Sequence, residues 1–141
     1  MSEARVAAQN RKTVLIVEDC SAVAQAIQRL LEEEGLNVLW ALDGKAGVQT
    51  AQQCTPDAMV LDVKMPKMNG LEACQRLKEN ARTADVPVVM LTVRDDATTA
   101  WRGIALGAID FIPKDAFSDH VLLETLRQLH ILPEPEGAIQ C

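Results

Sequence analysis

Residues 13–19 read TVLIVED, and this stretch decides the fold. Thr13 to Val17 is an unbroken β-branched and apolar run, with no polar residue on alternate positions. A strand of that kind is buried on both faces, which is the mark of a parallel sheet covered by helices on each side. The run stops abruptly at two carboxylates, Glu18 and Asp19. Outward from it the same arrangement recurs. A helix over 22–34, with Ser21 as its cap and Val23, Ile27, Leu30 and Leu31 on one stripe, ends at Gly35. A second strand occupies 36–42, Asp43-Gly44 turns, and a short helix over 45–54 carries Val48 and Ala51 inward.

The pattern continues with a strand over 58–61 (AMVL) followed by Asp62, a loop over 65–70, and a helix over 71–80 with Leu71, Cys74 and Leu77 inward. A fourth strand runs from Val86 to Leu91 and ends at Thr92. A helix over about 96–106 closes at Gly107, a fifth strand covers 109–112, and a last helix covers about 118–130 with Val121, Leu122, Leu126 and Leu129 inward. Short strands alternating with helices imply βαβ crossovers and an α/β fold. Residues 1–11 read as a flexible extension, 12–132 as one domain, and 133–141 as a tail or linker.

Composition narrows the function. The 141 residues carry a formal charge of −6, and residues 1–12 hold three basic groups against one acidic, which leaves a net of −8 in the remainder. A module that tracks phosphates or anionic lipid needs a basic face, so direct binding to nucleic acid or membrane is not expected. The four cysteines, Cys20, Cys54, Cys74 and Cys141, match no metal or redox spacing. Cys54 and Cys74 sit in apolar helical patterns and read as small core or near-core side chains. The amino-terminal residues contain no apolar signal segment, no apolar run is long enough to span a bilayer, and a cytoplasmic location is expected.

The polar residues gather at the strand ends. In an open parallel sheet ligands bind outside the carboxyl ends of the strands, where Glu18, Asp19, Asp62 and Thr92 fall, with Lys114 close after the fifth strand. Three carboxylates repel one another unless a cation sits among them, and an all-oxygen set suits Mg²⁺. No GxGxxG or Walker sequence occurs, so a nucleotide site is unsupported, and Gly35, Gly44 and Gly70 read as turn residues.

These segments together, LIVED at 15–19, VLDVKMPKMNG at 60–70, VVMLT at 88–92 and GAIDFIPK at 107–114, resemble the receiver domain of two-component response regulators (the CheY-like family) over about 12–132. The resemblance implies a flavodoxin-like (βα)5 fold, a doubly wound five-stranded parallel sheet in the order 2-1-3-4-5. It also implies a phosphoacceptor signalling switch. Asp62 matches the phosphoacceptor. Glu18, Asp19, Asp62 and the backbone carbonyl of Lys64 match the magnesium site, with Asp19 a direct ligand and Glu18 acting through water. Thr92 and Lys114 match the residues that engage the phosphoryl group, and Phe111 the aromatic that switches with Thr92.

By the same resemblance the phosphoryl donor is a histidine kinase or a phosphotransfer protein. The output is altered contact with a downstream protein or a linked output domain, through the face made by the helix at 96–106, the strand at 109–112 and the last helix. That face would also serve a homodimer. Catalysis is at most magnesium-dependent self-phosphorylation from a phosphodonor and slow autodephosphorylation. A small apolar patch of Ala22 and Ala26 beside Gln25 is the expected donor contact.

Three departures qualify the match. Asp115 stands where the family usually has proline after the lysine, which puts the usual cis bond there in question. Lys64 and Arg94 place long basic chains two residues beyond Asp62 and Thr92, where they bear on phosphoryl lifetime. Cys20 adjoins the acidic pair and reads as an inert small residue. The competing reading is a phosphorylation-independent interaction module of the same fold. A haloacid-dehalogenase-type phosphotransferase would want a second aspartate where Lys64 stands.

Overall fold

The computed structural model describes residues 11–63, 68–92, 102, 104–113 and 118–133. Within them the chain forms β1 (Thr13–Val17), α1 (Ser21–Glu33), β2 (Asn37–Ala41), α2 (Gly44–Cys54), β3 (Ala58–Asp62), α3 (Gly70–Glu79), β4 (Val88–Thr92), β5 (Asp110–Pro113) and α4 (Ser118–Gln128). The five strands make one sheet in the order β2-β1-β3-β4-β5, parallel throughout, as expected. The helix expected over 96–106 falls mostly outside the described residues. Of it, Arg102, Ile104 and Ala105 are helical, and Gly107 follows with a φ of +107°.

Alternation along each strand splits the core in two. Leu15, Val17, Met59, Leu61, Val88 and Met90 face α2 and α3, where Val48, Ala51, Leu71, Cys74 and Leu77 meet them. Val14, Ile16, Val60, Val89, Leu91 and Ile112 face the other way, toward Ile27 and Leu31 of α1 and Leu122 and Leu126 of α4. The continuous apolar runs of the sequence are therefore two interleaved half-runs, one for each helical layer. No helix among the described residues is long and apolar enough to cross a membrane.

Several local expectations need correction. Cys20, not Ser21, is the N-cap of α1, and its side chain makes no capping hydrogen bond. The chain is fixed there instead by the Cys20 amide, which donates to Glu18 Oε2 at 3.2 Å. Ala24 joins Ile27 and Leu31 as the buried residues of α1, while Leu30 is only half-buried. Cys54, expected near the core, is exposed: it is the last residue of α2, and Thr55 turns the chain away with a φ of 45°. Val121 is 41% exposed, because Leu122, Thr125 and Leu126 form the inward stripe of α4. The fourth strand starts at Val88, after Pro87, which has no N–H to offer a ladder.

Candidate functional site

The site lies at the carboxyl ends of β1 and β3, adjacent strands in the interior of the sheet. β1 delivers Glu18 directly after Val17, and β3 ends on Asp62. Both side chains are buried, Glu18 at 1% exposed and Asp62 at 4%, whereas Asp19 faces solvent. One carboxylate oxygen from each of the three lies within 4.8 Å of the others. Two buried carboxylates and one open one, all oxygen donors, fit a hard divalent cation that retains some of its water.

The backbone around these groups is held tightly. The Glu18 amide donates to the Ala41 carbonyl at 3.1 Å, extending the β1–β2 ladder by one bond beyond the register pair Val17–Ala41. The Glu18 carbonyl accepts from the indole Nε1 of Trp40 at 2.9 Å. After β3, the Val63 amide donates to Leu91 and its carbonyl accepts from the Gly70 amide, both at 3.0 Å. Asn69 caps α3 by accepting from the Glu72 amide at 2.9 Å. Gly70 is more than a turn residue: a Cβ there would collide with the Asp62 carbonyl oxygen and sit 3.0 Å from Val63 Cα. Gly44 is likewise the first residue of α2, and a Cβ on it would strike the Met68 carbonyl.

Of the remaining expected site residues, Thr92 ends β4 opposite Pro113, and Phe111 lies in β5 opposite Met90. What is described of these two is their backbone. It places Thr92 on the same sheet edge as Asp62, one strand over. Lys64 and Lys114, the Lys114–Asp115 bond and Arg94 lie outside the described residues. Sequence reading missed Gly70 and Trp40. Gly70 carried a signal, a glycine at the first helical position directly after a capping asparagine. The Trp40 bond carried none, because it depends on how far β2 runs beside β1.

Residues 14–127 match the family model of the response regulator receiver domain. The chain belongs to that family. Among curated relatives of this receiver domain, response regulator MprA of Mycobacterium bovis is 36% identical over 127 residues, which cover 90% of this chain and 54% of the relative. The chain thus spans about half the length of the curated relatives it matches. Chemotaxis protein CheY4 of Vibrio cholerae superposes with a TM-score of 0.79 at 29% identity, over 84% of this chain and 98% of that one. The receiver domain of a Pseudomonas aeruginosa sensor histidine kinase, solved with a magnesium ion coordinated in its active site cleft, shares the fold with a TM-score of 0.76 at 22% identity over 85% of this chain and 98% of that one.

Proposed function

We propose that this receiver domain takes a phosphoryl group on Asp62 from a histidine kinase or phosphotransfer protein. The observation that carries the reading is the gathering of Glu18, Asp19 and Asp62 at the carboxyl edge of the sheet, with oxygens within 4.8 Å. An Asp62 carboxylate oxygen forms the new bond to phosphorus as the bond from phosphorus to the donor's leaving atom breaks, and the electron pair leaves with that atom. Glu18, Asp19 and Asp62, with the Lys64 carbonyl, are the proposed holders of Mg²⁺. When bound, the ion neutralises charge on the phosphoryl oxygens. Thr92 and Lys114 are the proposed partners of the acylphosphate, since a phosphoryl group adds strong acceptor oxygens for a hydroxyl and an ammonium. Thr92 and Phe111 are the proposed switch pair.

Exposed Ala22, Gln25 and Ala26 on α1 support a donor contact beside the site. Buried Leu132, whose amide donates to the Leu126 carbonyl at 3.2 Å, supports a domain that runs from residue 12 to 132 with a tail or linker after it. The response regulators that the chain matches extend well beyond the region of similarity, which supports an output element or partner; the face around β5 and α4 is its proposed contact, and the cytoplasm the proposed location.

The test is intact mass after incubation with acetyl phosphate. A gain of about 80 Da that requires Mg²⁺ and vanishes in Asp62→Ala is expected. No gain in the parent protein would overturn the reading, and a gain that persists in Asp62→Ala would move the acceptor elsewhere.

A further inference from the structure

We infer that Trp40 is a positioning residue for the metal site, holding the Glu18–Asp19 segment in place through its indole N–H. The inference rests on the magnesium reading above and assigns a residue outside the carboxylate set. β1 and β2 pair as far as Val17 and Ala41, after which β2 departs through Leu42 toward Asp43, the N-cap of α2. The Glu18 amide still reaches the Ala41 carbonyl. The Glu18 carbonyl lies past the end of the ladder in a residue that is 1% exposed, where a buried acceptor must find a donor. The indole of Trp40 supplies one at 2.9 Å. That explains why a large aromatic that is still 36% exposed occupies the edge strand: its polar atom is turned inward to the backbone of the acidic pair. With the Cys20 amide on Glu18 Oε2, residue 18 is held at its amide, its carbonyl and its carboxylate. Groups that orient metal ligands from outside the coordination sphere commonly set affinity as strongly as a weak ligand does.

The experiment uses the full ¹⁵N-labelled chain, titrated with Mg²⁺ alone and followed through the amide signals of Glu18, Asp19 and Val63. Asp62→Asn serves as the control for the site itself. Trp40→Phe, which keeps an aromatic ring and removes the donor, is expected to weaken Mg²⁺ binding about tenfold. It should also speed hydrogen exchange at Cys20 while leaving the thermal midpoint within a few degrees. Trp40→His, whose Nε2–H lies the same number of bonds from the backbone as the indole N–H, is expected to recover most of the affinity. Binding by Trp40→Phe within twofold of the parent, with Asp62→Asn abolishing it, would overturn the role of Trp40 and leave the magnesium reading standing. Equal loss in the Phe and His variants would overturn it as well, since the N–H would then be irrelevant. No Mg²⁺ binding by the parent chain would overturn both.

Discussion

At the scale of single residues, the closest tolerance in the site belongs to an atom that is missing. Gly70 lets α3 begin against the backbone of Asp62, and a methyl group there meets a carbonyl that no rotamer change can move. In a free helix, Gly→Ala would gain up to about 1 kcal/mol, yet overpacking against rigid neighbours costs roughly 1–3 kcal/mol. Gly70→Ala is therefore expected to lower the urea midpoint despite the better propensity, and to slow acetyl phosphate labelling of Asp62. A midpoint that rises would show that α3 shifts freely. Cys74 carries a second expectation. Burial pushes its thiol above the ordinary 9.0, partly offset by Lys78. The folded chain therefore keeps this proton to a higher pH than the unfolded chain does. The contribution is fully present below pH 9 and is lost as pH rises through the folded value, so alkaline unfolding should be less steep in Cys74→Ala. Under native conditions a thiol reagent should modify the exposed Cys20 and Cys54 well before Cys74.

At the scale of elements, α3 depends on its first turn. Asn69 accepts from Glu72, and Asn69→Ala is expected to cost about 1 kcal/mol in chemical denaturation. A loss near zero would mean that water replaces the cap. Strand positions were legible in the sequence because a doubly buried strand leaves an unmistakable run, and TVLIV and AMVL lie where the runs predict. The acidic cluster was legible for the same reason, since each run ends on the residue that must face the rim. Helix ends were less so. Ser21 has the side chain of a cap, but the bond from the Cys20 amide to Glu18 sets where α1 begins. The exposure of Cys54 and Val121 depends on where a short helix stops and how it rolls on the sheet, which are decided by packing rather than by periodicity. The close approach at Gly70 joins two elements eight residues apart and is visible only once both are placed.

At the scale of the whole molecule, the two core layers are sealed from each other by the sheet, and the carboxylate rim is where a cation would act on all of it. A ligand that binds only the folded state stabilises it by about 1.4 kcal/mol at ten times its dissociation constant. For a domain of this size that amounts to roughly 3–5 °C. Saturating MgCl₂ is thus expected to raise the thermal midpoint, while NaCl at equal ionic strength or Mg²⁺ with Asp62→Asn should not. Sealing also has a consequence for how the chain finds its pairing. A strand apolar on both sides can slide past its neighbour by one residue and still turn apolar side chains to both helical layers, so the pattern of its faces alone does not stop slippage. What stops it is the boundary: sliding β3 inward by one place would drag Asp62 into the position of Leu61, and sliding β1 would do the same with Glu18. Both carboxylates are already buried at the rim, but there Glu18 keeps the Cys20 amide as a partner; a charge stripped of such partners between two hydrocarbon layers is far costlier than two mismatched valines. The carboxylates clustered at the rim thereby also measure out the sheet during folding.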